Sequence, residues 1–295
     1  MTPSPTFSKS KYGRSVLITG SSTGIGRACA LHLDRLGFQV FAAVRKEEDA
    51  RSLQAEASGR LVPLLLDVTD AGAIAGAYAQ LSAAVGETGL SGLVNNAGVA
   101  RAGPVEFIPL DDYRFTMEVN LFGVIAITRT FIPLLRLARG RVVNMSSVSG
   151  LIAAPFVSPY NTSKFALEAL TNALRSELRP WGIHVAIVNP GRIDTPIWDK
   201  SLAAIEDSMQ GWPPAVEALY GPALEAARRS ANSRRGIPAL EVARAVEHAL
   251  TASRPKTRYL IGLDARLVAL LRLLPAGAID WLIARKLPDH GEGGP

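Results

Sequence analysis

The stretch Arg14-Ser15-Val16-Leu17-Ile18-Thr19-Gly20-Ser21-Ser22-Thr23-Gly24-Ile25-Gly26 decides how this chain folds. Residues 14–20 are a short, β-rich apolar run, and a helical pattern extends from Gly24 to Leu36. A strand, a glycine turn and a helix start in that order let backbone approach a ligand closely. They also aim free N–H groups and the positive end of a helix dipole at an anion. A dinucleotide pyrophosphate suits this arrangement. Taken alone, the motif serves equally as a helix start whose glycines only make the turn. The cofactor contacts it predicts are Gly20, Ser22, Thr23, Gly24, Ile25 and Gly26.

Outward from this stretch the same alternation repeats. FQVFAAV (38–44), LVPLLLD (61–67), LSGLVNNAG (90–98), RVVNMSS (141–147) and HVAIVNPG (184–191) read as strands, and 70–85, 111–138 and 159–179 as helices. Continuous apolar strands between helices predict a parallel sheet covered on both faces, a doubly wound Rossmann-type α/β fold. Residues 194–236 hold Pro, Trp, Met and mixed charge, and are read as a substrate-covering segment of the same domain. A helix at 239–251 and a strand at 257–262 return to the pattern. The expected organisation is a polar lead-in at 1–13, one catalytic domain at 14–263, and a Leu- and Arg-rich tail at 264–295 that Pro275 splits into two short helices.

Composition narrows the function classes. The 295 residues are 48% hydrophobic and 20% charged, with a net charge of +6 from 32 basic and 26 acidic side chains. The basic residues are scattered rather than clustered with aromatics, so no nucleic-acid partner is expected, and a phosphate-rich cofactor accounts for the sign. The single Cys29 excludes an internal disulfide and fits a reducing, cytoplasmic setting. The first residues lack the apolar core of a signal peptide, and no uninterrupted apolar run of about 18 residues predicts a membrane span. The four histidines show no metal-ligand spacing, so no metal is expected.

The glycine spacing is G-x3-G-x-G, and further motifs follow in order. Asn95-Asn96-Ala97-Gly98 closes the fourth strand, and Asn120 lies in the long helix. Ser147 follows the fifth strand, Tyr160-Asn161-Thr162-Ser163-Lys164 opens the next helix, and Asn189-Pro190-Gly191 with Thr195 follows the sixth strand. Over about residues 14–196 this set resembles the short-chain dehydrogenase/reductase family. The wording of LDVTD (66–70), GLVNNAGVA (92–100), ARGRVVNMSSVSG (138–150) and KTRY (256–259) resembles its retinol and hydroxysteroid dehydrogenase branch. The resemblance implies hydride transfer between a nicotinamide cofactor and an alcohol/ketone pair, and a homodimer or homotetramer.

The reacting groups can be argued from their chemistry. Tyr160 and Lys164, four apart on a helix, share one face. A phenol titrates too high for neutral acid–base work, and a nearby ammonium is expected to lower it. Ser147 is read as the hydroxyl that holds the substrate oxygen beside Tyr160. A serine-hydrolase reading of Ser147 lacks the G-x-S-x-G elbow and a histidine partner. The resemblance assigns Asn120 a backbone distortion and a water that links Lys164 to solvent. It also places Asp67 and Val68, Asn95, Ala97, Gly98, Pro190, Gly191, Ile193 and Thr195 on the cofactor, which Tyr160 and Lys164 touch as well.

The second strand ends Val44-Arg45-Lys46, with no acid for a ribose 2′-hydroxyl. NADP(H) is therefore favoured over NAD(H), with Arg45 on the 2′-phosphate. A lipophilic alcohol or carbonyl is the expected substrate, beside Ile152, Phe156, Val157, Ile197 and Trp198. The alternatives are a 3-oxoacyl thioester reductase on the same residues and a cofactor-binding sensor without turnover. The tail, with Arg266, Arg272, Arg285 and Lys286 among leucines, either folds on the protein or touches a membrane surface.

Overall fold

The computed structural model describes residues 14–194, 212–232 and 236–285. In chain order its elements are β1 (Ser15–Ile18), α1 (Gly24–Arg35), β2 (Gln39–Val44), α2 (Glu47–Glu56), β3 (Leu61–Leu65), α3 (Ala71–Val85), β4 (Gly92–Asn95), α4 (Leu110–Met117), α5 (Gly123–Ala138) and β5 (Arg141–Met145). Then come α6 (Ser158–Leu178), β6 (His184–Pro190), β7 (Ile193–Asp194), α7 (Ala215–Asn232), β8 (Ile237–Pro238), α8 (Ala239–Thr251), β9 (Arg258–Ile261), α9 (Leu263–Leu271) and α10 (Ala276–Ala284).

Strand side chains alternate between two faces, and here both faces are apolar. Val16, Val94, Val143 and Ala186 meet Cys29 and Leu33 of α1 and Val242 and Val246 of α8. Their strand neighbours Leu17, Leu93, Val142 and Val185 meet Leu81 of α3 and Ile127, Phe131 and Leu135 of α5. Both layers are buried, which is why the strands read as unbroken apolar runs. The seven strands pair in parallel in the order β3-β2-β1-β4-β5-β6-β9. The order reverses between β1 and β4, and such a switch point opens a crevice outside the carboxyl ends of the strands.

Three departures from the sequence reading have local causes. Helix α2 was not picked out, because it buries only Ala50 and Leu53 and is otherwise charged. The helix read at 111–138 runs from 110 and widens to π geometry over Glu118–Phe122, around Asn120. At 29 residues this Leu110–Ala138 helix is long and apolar enough to cross a membrane. Its fully buried Ile127, Phe131 and Leu135 instead make it the core helix against the sheet. Third, the start of the tail at residue 264, which the sequence reading separated from the domain, is tied into it. The Asp264 carboxylate accepts from the Arg192 N–H (2.7 Å) and the Ala265 N–H (2.9 Å), and Ala265 is fully buried. The lead-in 1–13 lies outside the described residues.

Candidate active site

The crevice at the switch point is a cavity of about 410 Å³ between the ends of β1, β2, β3 and β4. Its floor is the turn Gly20–Ile25. A Cβ on Gly20 would sit 2.8 Å from Ala97 Cα, and one on Gly26 would sit 2.1 Å from the Gly20 carbonyl oxygen. Turn and helix therefore pack at a distance only glycine permits. Thr23 precedes α1 in extended conformation without a side-chain cap, and no acid stands in the first helical turn. The leading N–H groups are thus left for an anion. Size, glycine cradle and uncapped helix start all fit a dinucleotide.

Most of the predicted cofactor residues line this cavity: Gly20, Ser22, Thr23, Gly24, Ile25, Arg45, Asp67, Val68, Ala97 and Gly98. Arg45 is exposed at the end of β2 and makes no ion pair or hydrogen bond with the described residues, whereas its neighbour Lys46 pairs with Glu48 (3.1 Å). Asp67 accepts from the Thr69 N–H (2.9 Å) and hydroxyl (2.7 Å), which shapes the turn after β3.

Asn95 does not line the cavity. Its amide is buried in the protein interior and donates to Thr128 Oγ1 (3.0 Å) and Asn144 Oδ1 (2.9 Å). The residue on the cavity wall is its neighbour, which strand alternation turns the other way. Asn96 Nδ2 donates to the Thr19 and Gly20 carbonyls, both at 3.0 Å, and so ties the β4 loop to the glycine turn. Pro190, Gly191 and Ile193 lie at the end of β6 and in β7, outside the cavity lining. Gly191 is obligatory because a Cβ there would meet the Asp264 carboxylate at 2.0 Å. Thr195, Ile197 and Trp198 lie outside the described residues.

Beside the cavity, α6 brings Tyr160 and Lys164 to the end of β5. A Cβ on the wall residue Gly98 would lie 3.3 Å from Asn120 Oδ1 and 3.8 Å from Lys164 Nζ, so both groups stand directly behind that wall, although neither they nor Ser147 and Tyr160 line the cavity. Ser147, Tyr160 and Lys164 are each less than 10% exposed. Ser147 Oγ accepts from the Ser149 N–H (3.1 Å) and hydrogen-bonds Tyr160. Lys164 Nζ donates to the Met145 carbonyl (2.8 Å) and stands 5.5 Å from the centroid of the Tyr160 ring.

The electrostatics differ from the sequence expectation. Burial pushes the Tyr160 phenol up to about 12, with the Ser147 hydrogen bond pulling the other way. The ammonium over the ring does not bring it below its usual range. Burial also lowers Lys164 to about 8, opposed by the Glu168 carboxylate. Tyr160 is therefore held as a phenol, a proton donor, at neutral pH. Asn120 sits in the π turn as the resemblance implied. Its amide nitrogen donates to the Val99 carbonyl and Ser163 Oγ, both at 2.9 Å, and its oxygen accepts from the Val99 N–H (2.8 Å). This clamps the loop after β4 to α6, as the extra residue of a π turn redirects a side chain.

An aromatic wall stands beyond this group, and only Phe156 of it was singled out from sequence. Tyr220 of α7 meets Phe107 and Phe156 edge-on, at 5.9 and 6.2 Å. The Trp212 ring lies 2.9 Å from where Gly103 would carry a Cβ. Phe156 adopts φ 63°, strained for a non-glycine residue, and its carbonyl accepts from the Gly103 N–H (2.7 Å). These residues come from three separate stretches, so no sequence spacing links them.

Residues 14–206 match the family model of the short chain dehydrogenases. The chain is 43% identical to mouse (Mus musculus) retinol dehydrogenase 5 over 284 residues, covering 92% of this chain and 88% of that one. It is 37% identical to bovine (Bos taurus) 17-beta-hydroxysteroid dehydrogenase type 6 over 286 residues, covering 94% and 90%. Its fold is similar to that of a short chain dehydrogenase from Burkholderia cenocepacia in complex with NADP. There the TM-score is 0.72 and the identity 25%, over 92% of this chain and 97% of that one.

Proposed function

This chain belongs to the short-chain dehydrogenase family of NAD(P)-dependent oxidoreductases, and from that premise we propose that it interconverts a lipophilic alcohol and its carbonyl with NADP(H), using Ser147, Tyr160 and Lys164. The observation that carries this reading is the buried Ser147–Tyr160 hydrogen bond with the Lys164 ammonium over the same ring, behind the Gly98 wall of a cavity that fits a dinucleotide.

The cofactor, when bound, supplies or accepts the hydride. Ser147, its oxygen already accepting from the Ser149 N–H, offers its proton to the carbonyl oxygen. Tyr160 gives its phenolic proton to that oxygen in reduction and takes one back in oxidation. Lys164, with one donor spent on the Met145 carbonyl, stabilises the phenolate through the ring and would have its remaining protons for a cofactor ribose. The Asn120 clamp keeps the β4 loop at the distance the cavity needs. Arg45, without an acidic partner among the described residues, suits a 2′-phosphate. The names of the relatives support a retinoid or a hydroxysteroid as the substrate class. The aromatic wall of Phe107, Phe156 and Tyr220 supports an apolar one.

The same reading proposes a cytoplasmic homo-oligomer whose tail either packs on the protein or a subunit interface, or touches a membrane surface. Leu263, Leu267, Leu270 and Leu273 are 82, 56, 64 and 81% exposed, with Arg266 and Arg272 among them. The deciding experiment follows nicotinamide absorbance with retinol, a 17-hydroxysteroid, their oxidised forms and a 3-oxoacyl thioester, each with NADP(H) and NAD(H). Turnover of the lipophilic alcohols with NADP+ supports the proposal. Turnover of the thioester alone selects the reductase alternative, and cofactor binding without any turnover selects the sensor.

A further inference from the structure

Helix α6 carries a third polar residue on the stripe that holds Tyr160 and Lys164. Glu168 lies one further turn along, at the i+8 position, and is 7% exposed. A carboxylate buried to that degree needs partners, and two strands supply them. Asn189 Nδ2 from β6 donates to one oxygen and the Arg258 guanidinium from β9 to the other, each at 2.6 Å. Arg258 also donates to Asn189 Oδ1 (2.6 Å), which closes a ring of three side chains. The ring has two outlets toward the reacting groups. Asn189 Nδ2 donates to the carbonyl oxygen of Ser147 itself (3.0 Å), and Glu168 is the carboxylate that acts on Lys164. The amide is read unambiguously: only its oxygen suits a guanidinium, and only its NH2 suits a carboxylate and a carbonyl.

We propose that Glu168, Arg258 and Asn189 form a positioning triad for the reaction, in which Asn189 sets the place of Ser147 and Glu168 is held one helical turn from Lys164. None of the three borders the cofactor cavity. The triad joins the last strand of the sheet to the catalytic face of α6, so an edge strand far along the chain conditions the reacting hydroxyl. Among the described residues, the charged groups around Glu168 are Lys164 and Arg175 on α6 and Arg258 from β9. Strand β6 contributes Asn189, and β5 with the loop after it the Met145 and Ser147 carbonyls. Lys164 also faces the Tyr160 ring. The charged group that acts on Lys164 is Glu168, one turn along the same helix.

The inference rests on the assignment of Ser147, Tyr160 and Lys164 as reacting groups, and its test separates the two. Glu168→Gln removes the charge and keeps the shape. The Lys164 13Cε resonance, assigned by its loss in Lys164→Arg, titrates without any substrate present. In Glu168→Gln it should titrate about one pH unit lower. The alkaline limb of turnover of retinol or a 17-hydroxysteroid should move with it, because the ammonium is lost sooner as pH rises. Arg258→Lys keeps both charges but cannot hold Glu168 and Asn189 together. It should lower kcat by about tenfold, with cofactor affinity and the Lys164 titration unchanged. Should Glu168→Gln fail to fold, Arg258→Lys still decides the Ser147 outlet. An unmoved Lys164 titration in Glu168→Gln, or full turnover in Arg258→Lys while Tyr160→Phe is inactive, overturns the triad alone. An active Tyr160→Phe overturns the triad and the catalytic assignment together.

Discussion

Lys164 holds its ammonium over the ring of Tyr160, 5.5 Å from the centroid, while it donates to the Met145 carbonyl at 2.8 Å. The cation is thus seated by ring and backbone, and the phenolic hydroxyl is left to Ser147. Tyr160→Phe should keep the seat and remove only the transferable proton. Turnover should fall by about 10³-fold, while NADPH binding, read by fluorescence, stays within about twofold. Substantial remaining turnover would refute the proton-donor role.

The same burial makes stability depend on pH. Lys164 is lowered from the usual 10.5 to about 8. Between those values the unfolded chain holds a proton that the folded chain has released, so raising the pH stabilises the fold. Relative to Lys164→Met, the unmutated protein should gain on the order of 2 kcal/mol between pH 8 and 9.5, with no relative gain below pH 7. Parallel urea-unfolding curves for the two proteins across that range would show Lys164 to be ordinary.

Glycines separate the cofactor cradle from mere helix. Gly26→Ala drives a methyl onto the Gly20 carbonyl and Asn96 Nδ2, at 2.1 and 2.5 Å. It should abolish cofactor binding by displacing the turn. Gly76, exposed within α3, has nothing within 4 Å of its Cβ position. Gly76→Ala should stabilise the protein by about 0.5–1 kcal/mol with normal turnover. Equilibrium unfolding and NADPH titration of both variants check the contrast.

Cofactor preference is assigned to Arg45, an exposed cation on the cavity wall without a protein partner among the described residues. Arg45→Asp should weaken NADPH by roughly tenfold or more and spare NADH, since only the 2′-phosphate meets the new charge. Equal Michaelis constants for NADPH and NADH in the unmutated protein would remove the assignment.

For the tail, the Asp264 bridge to Arg192 makes truncation at residue 263 a poor test, because it would strip a core contact. Leu267→Glu with Leu270→Glu alters the exposed face alone. Sedimentation with anionic liposomes at low salt should be lost, and turnover of a water-soluble substrate kept. An unmutated protein that stays in the supernatant rules out the membrane contact.

The sequence by itself determined the sheet and pointed to the proposed reacting groups, for physical reasons. Unbroken apolar runs such as Val16-Leu17-Ile18 can only be strands buried on both faces, and Tyr160 and Lys164 must share a helix face. It also marked the glycine turn, since Gly20 and Gly26 stand where any side chain would collide. The tertiary structure alone decided what depends on distant neighbours. Strand alternation and packing turned Asn95 into the core and left Asn96 on the cavity wall. Burial, invisible in spacing, placed the Tyr160 phenol near 12 where a neighbouring lysine had suggested the reverse. Glu168, Asn189 and Arg258 lie 21, 69 and 90 positions apart in their pairings, and only the closure of β9 onto β6 brings them together behind Ser147.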